Sequence, residues 1–201
     1  ADPGTGRFIR FYNQALLPTD NPLEGFWQGT VRYCASEDGG MTWYVDEEVI
    51  ANGAEFNAAH PVPGVNVGRN CVMVGDQASK PIFLADGTLS WPVVVSPIGP
   101  DGHYYNPFGG YTYSDAAVLR GRWQPDKHIA WELSALVKGD PARSTRGMDE
   151  ASLGALADGR VLMVMRGSND KKPDLPGRRW AAFSSYQGRT WTKPTPWTYA
   201  G

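Results

Sequence analysis

Ser36-Glu37-Asp38-Gly39-Gly40-Met41-Thr42-Trp43 spells S-x-D-x-G-x-T-W, and Ser184-Ser185-Tyr186-Gln187-Gly188-Arg189-Thr190-Trp191 repeats the frame 148 residues later with Tyr186 in the aspartate's place. Each position has a physical task. Asp38 folds its carboxylate back onto nearby backbone amides, the glycines accept positive φ, and Trp43 packs beneath the turn. The octet is thus a self-contained connection between two strands.

Outward from the octets, strand-like runs bounded by turn residues occur at 28–35, 71–74, 81–84, 88–95, 113–120, 129–134, 151–156, 160–165 and 180–184. Glycine, proline and Asp-Gly pairs separate them, and nothing between them sustains a helix longer than two turns. The predicted class is all-β. Two hairpins read as nearly one phrase, Leu84-Ala85-Asp86-Gly87-Thr88-Leu89 and, 72 residues on, Leu156-Ala157-Asp158-Gly159-Arg160-Val161. Supersecondary units of roughly 40–50 residues, stretched by loop insertions, point to propeller blades. With four strands per blade, residues 25–201 hold about three to four blades, after a partly irregular N-terminal segment over 1–24. Closed propellers need about four to eight. The chain is therefore expected to be part of a larger protein, to be completed by a second copy or partner, or to cover its blade faces unusually. The long segment 97–111, rich in tyrosine and glycine, suits either a binding loop or a solvent-covering flap.

Composition agrees with this class. Among 201 residues there are 24 glycines, 16 prolines and 8 tryptophans, and charged residues make up only 20%, proportions that favour short strands, tight turns and aromatic filling between sheets. A net charge of -2 with no long basic run leaves no footprint for nucleic acid or an anionic membrane. No apolar run reaches the ~20 residues that span a bilayer. Cys34 and Cys71 lie in apolar strand-like runs, where buried free thiols are favoured over a single bridge.

The densest group of chemical side chains is Met148-Asp149-Glu150-Ala151-Ser152 through the Asp158-Gly159-Arg160 turn to Met165-Arg166. If Ala157-Asp158-Gly159 form a three-residue loop with Gly159 left-handed, Leu156 pairs with Arg160 and Glu150 falls opposite Arg166 at the open end of the hairpin. A two-residue loop would point the two side chains to opposite faces. The simplest role for such a pair is a cross-strand ion pair contributing roughly 0.2–1 kcal/mol. Arg143 and Arg146 in the preceding loop fall at the same end, as solvated loop arginines or as contacts for an anionic ligand.

The first octet resembles the Asp-box, or bacterial neuraminidase repeat, of sialidase-type β-propellers, and the second is similar but degenerate. The hairpin from Met148 to Arg166 resembles the sialidase stretch in which a glutamate opens the first strand of a blade and an arginine ends the second. The resemblance implies a β-propeller fold, six-bladed in the parent, that hydrolyses terminal sialosides. The substrate carries a carboxylate on its anomeric carbon, so it is gripped by arginine forks and attacked by a tyrosine, since a carboxylate nucleophile would be repelled. A phenol with a pKa near ~10 needs a neighbouring base. By resemblance, Glu150 is that catalytic activator, Arg166 binds the substrate carboxylate, and Arg146 is a further substrate-binding candidate. The expected partner is a sialoside or other acidic glycan, with no cofactor, and the family favours a secreted or periplasmic setting. The R-I-P arginine, the acid/base aspartate, the tyrosine nucleophile and a third arginine of the family find no match, Arg10 lying outside that motif. This leaves a second expectation, a non-catalytic carbohydrate-binding or assembly module. His60, His103 and His128 show no metal-ligand spacing, and neither a Gly-Lys-Ser/Thr phosphate loop nor a Gly-x-Ser-x-Gly elbow is present.

Overall fold

The computed structural model describes residues 1–75 and 79–198. It contains three antiparallel sheets. The first is β1 (Phe8–Ala15), β2 (Gly29–Ser36) and β3 (Val45–Glu48), in that order. The second runs β4 (Val72–Met73) and β5 (Ile82–Phe83) side by side along one edge of β6 (Leu89–Val95), followed by β7 (Asp115–Trp123) and β8 (Ile129–Leu133). The third is β9 (Asp149–Ala155), β10 (Val161–Gly167), β11 (Arg178–Ser184) and β12 (Thr195–Pro196). These are blades of a partial, sialidase-like β-propeller.

Alternation along β7 shows how the blades stack. Ala117 and Leu119 face the first sheet in a core with Val31, Tyr33, Trp91 and Trp131, whereas Ala116 and Val118 face the third in a core with Met148, Met163, Met165 and Trp180. A strand buried on both faces loses the polar half of the two-residue pattern, which is why β6 is apolar almost throughout and β7 is apolar from Ala116 to Leu119. Aromatic rings key the first interface: Phe11 stacks on Trp91 at 4.0 Å, and Tyr33 meets Trp131 edge-on at 5.4 Å.

All nine expected runs contain strand, but β1, β3 and β12 were not anticipated. A third of the segment before residue 25 is strand, since β1 pairs with β2 along its whole length. β1 carries Arg10, Asn13 and Gln14, β3 is Val-Asp-Glu-Glu, and β12 contains Pro196. Charge and proline suit edge strands, which need no apolar face of their own. Both cysteines are free and buried; the Cys71 thiol, pushed up to about 12 by burial, donates to the Gly25 carbonyl at 3.0 Å.

Both octets close hairpins at one end of the blades. The first joins β2 to β3: Asp38 accepts from the Thr42 amide at 2.9 Å and the Thr42 hydroxyl at 2.6 Å, Ser36 Oγ accepts from the Gly40 amide at 2.9 Å, and the Trp43 ring lies against Gly40. The second joins β11 to β12, and Ser184 Oγ again accepts from the matching Gly188 amide, at 2.8 Å. The Asp86-Gly87 and Asp158-Gly159 turns also lie at this end, each with a left-handed glycine and an aspartate accepting an amide two residues on. A third turn of the same build, Gln124 to His128, puts Lys127 rather than glycine at the left-handed position and so escapes a search for Asp-Gly. Glu150 and Arg166 lie at the opposite end of the blades, with the long connections from β6 to β7 and from β8 to β9.

Candidate functional site

At the turn of the β9–β10 hairpin the expected three-residue loop forms: the Leu156 amide donates to the Arg160 carbonyl at 2.8 Å and Gly159 has φ 85°. Register then runs as expected from Ala155 opposite Val161 to Ser152 opposite Val164. Beyond that point it shifts. Arg166 lies opposite Asp149, not Glu150, because Glu150 and Ala151 together face the single residue Met165. This is a β-bulge, and Glu150 is its strained member at φ 44°.

At the bulge the chain combines burial with reach. Ala151 is held in the core between the second and third sheets, and Asp149 turns inward, its Oδ1 accepting the Glu150 amide at 2.9 Å. Left-handed backbone at Glu150 lets the intervening side chain swing onto Arg166 Nη1, with which it forms an ion pair. The pair is made, by a different route from the one the plain register predicts. Gly75 permits the approach of the neighbouring blade: a Cβ there would lie 3.3 Å from the Glu150 nitrogen and Cα.

Around this pair the open end is rich in charge. Arg179 of β11 lies directly opposite Arg166, and like charges in that relation destabilise a sheet unless something else requires them. Arg179 was missed by sequence reasoning; the Arg178-Arg179 doublet opening a strand is the signal that could have found it. Arg146 reaches Thr112 Oγ1 with Nε at 3.1 Å, and its Nη2 lies 3.8 Å from Asp149 Oδ2, with the guanidinium 5.6 Å from the Tyr111 ring centre. It is mostly buried and bracing the loop. Arg143 stacks over Trp180. Burial raises the Asp149 carboxyl above its ordinary range, with the Glu150 charge adding to the effect.

Segment 97–111 is tied to both blades. Tyr104 donates its hydroxyl to the Tyr113 carbonyl at 2.7 Å, and the Tyr111 amide donates to Asp170 Oδ2 at 2.7 Å. Among the described residues, no tyrosine hydroxyl hydrogen-bonds to Glu150. A tyrosine–glutamate contact exists elsewhere: Tyr33 donates to Glu47 Oε1 at 2.5 Å and accepts the Ile129 amide at 3.0 Å. Burial, then Glu47, push that hydroxyl far above its usual range, the reverse of what a nucleophile needs. No cluster of three or more His, Cys, Asp or Glu side chains among the described residues could hold a metal ion.

The architecture is similar to that of a Hadza microbial sialidase, with a TM-score of 0.62 at 15% identity over 96% of this chain and 31% of that one. It is also similar to the intramolecular trans-sialidase from Ruminococcus gnavus in complex with oseltamivir carboxylate, with a TM-score of 0.53 at 16% identity over 85% and 27% of the two chains. At such identities the likeness is one of fold. The chain spans less than a third of the length of either protein. No protein-family model and no curated protein matches the sequence.

Proposed function

We propose that this chain contributes the glutamate–arginine part of a sialidase-type site, acting on a terminal sialoside. One observation carries the reading: a carboxylate held at a strained, bulged position at the open end of a blade, facing an arginine that itself faces a second arginine. A structural ion pair needs neither the strain nor the repulsion. An incoming sialoside carboxylate would take Arg166 as a bidentate partner, with Arg179 adding attraction, and so release Glu150 from its present bond. Glu150 would then be free to accept a proton from a phenol, the role that makes a tyrosine nucleophilic. Arg146 contributes from behind, by holding the Asp149 loop.

That Glu150 meets no tyrosine hydroxyl among the described residues favours a second reading, an acidic-glycan-binding blade set without hydrolysis. Two measurements separate them. Free N-acetylneuraminate should bind in the millimolar range, and Arg166→Gln should weaken it by roughly tenfold or more; equal affinity in the variant would remove the site. Hydrolysis of a fluorogenic sialoside that falls about a hundredfold or more in Glu150→Gln supports the enzyme. Binding without any hydrolysis supports the binding module.

A further inference from the structure

A second polar site lies at the other end of the blades. Between the second blade and the second octet is a cavity of about 220 Å³, lined by Thr88, Arg120, Arg122, Trp131, Glu132 and Arg189 among others. Thr88, Arg120 and Trp131 are 1%, 2% and 2% exposed, and each keeps a polar atom without a hydrogen bond, the Thr88 hydroxyl, Arg120 Nη2 and Trp131 Nε1; one acceptor of the lining, Glu132 Oε1, is likewise without one, although it is in ion-pair contact with Arg120. The rest of Arg120 is committed, Nε donating to the Gln187 carbonyl at 2.9 Å and Nη1 pairing with Glu132. Glu132 also takes Arg189 at 2.9 Å, and Arg122 pairs with Asp86. Three guanidinium groups against two carboxylates leave one positive charge in surplus; of the three, Arg120 is buried while Arg122 and Arg189 reach solvent.

Two of the unpartnered groups, the indole and the guanidinium, can only donate, and the hydroxyl can do so. Leaving such groups buried without acceptors is costly. A water molecule accepts about two hydrogen bonds and brings no charge. A tetrahedral oxyanion offers several acceptor oxygens and cancels the surplus. We propose that this cavity binds a small oxyanion of the sulfate or phosphate type, either free or carried as an ester on a glycan. Burial and the nearby Arg189 already lower the Arg120 guanidinium to about 10, a field that a bound anion would relieve. The site would clamp the second octet, since Arg120 holds Gln187 and the Arg189 carbonyl accepts from Ala135 of the neighbouring blade. It is independent of the sialoside reading, and lies at the far end of β7 from Asp115, so failure of one leaves the other standing.

The test uses inorganic sulfate, added against sodium chloride at constant ionic strength. A site that binds the folded form raises the melting temperature with a saturable dependence, unlike the steady rise from general salting-out. Arg189→Gln and Thr88→Val, which both leave the buried Arg120 in place, should each weaken the saturable component by about tenfold. A crystal soaked in selenate should show its anomalous signal within hydrogen-bond reach of Arg120 Nη2. No saturable component, wild-type affinity in both variants, or selenate absent from the cavity would each overturn the proposal. Tighter binding of galactose 6-sulfate than of sulfate assigns the site to a glycan ester, and the reverse order to the free ion.

Discussion

Replacing Glu150 by glycine and by alanine gives two variants that both lack the carboxylate but differ in how they meet φ 44°. For an L-residue with a Cβ the left-handed region costs roughly 1–2 kcal/mol, and glycine is free of that cost. Both variants lose the same ion pair to a half-exposed arginine, worth about 0.2–1 kcal/mol. The loss cancels in the comparison. Against the relief of strain stands the larger entropy of glycine in the unfolded chain, about 0.5–1 kcal/mol. The net expectation is that Glu150→Gly is the more stable of the two by about 0.5–1 kcal/mol. At an ordinary extended strand position the order reverses, because glycine then costs entropy with no strain to relieve. The sign therefore reports the bulge. Urea unfolding of both variants, read by tryptophan fluorescence, measures it; in a chain of this size the melting temperatures should differ by about 2–4 °C per kcal/mol. If Glu150→Ala equals or exceeds Glu150→Gly in stability, residue 150 is not strained and the argument from a strained carboxylate falls.

Burial raises the Asp115 carboxyl to about 6, against ~3.9 unfolded, so the stability it contributes is complete below about pH 4 and is lost as pH rises through 6. Asp115→Asn, neutral throughout, should gain up to about 3 kcal/mol over wild type at pH 7 and little at pH 4; equal gains at both pH values would contradict this. Thr42 and Ser36 hold the Asp38 carboxylate far below its ordinary range, so its contribution is present above pH ~4 and is lost as pH falls through the folded value. Asp38→Asn should lower the melting temperature at pH 7, with the gap closing as the solution is acidified toward pH ~2; a gap that persists unchanged in acid would place the effect outside the titration.

The parts legible in the sequence are those set by residues adjacent in the chain. The Asp158-Gly159 turn fixed the hairpin register through Val164, and the octets marked connections at one end of the blades. What local reading missed depends on contacts distant in sequence. β3 is too acidic to look like a strand, yet Tyr33 of β2 gives its Glu47 a partner from the buried side. Lys127 adopts a left-handed turn that its residue type disfavours, and its ammonium reaches Glu37, 90 residues away, at 2.8 Å. Arg179 faces Arg166 only through strand pairing, and Arg120 meets the second octet only because two blades stack.

The bulge shows why the candidate site was half legible. Period and turn type place a glutamate and an arginine at one end of one hairpin, and no local rule inserts an extra residue between them. Alternation alone would put Ala151 and Asp149 on one face and Glu150 opposite Arg166 on the other; the bulge instead sets Asp149 opposite Arg166 and keeps the Glu150 ion pair through left-handed backbone. A sequence selected for stability alone would relieve that strain by placing glycine at 150. Keeping a carboxylate on a left-handed residue, opposite paired arginines, costs stability at three positions together. Such concentrated departures from local preference occur where binding or chemistry repays them; at the octet end Lys127 and Gln187 are also left-handed, but each sits in a tight turn and neither faces a like charge across a strand pair.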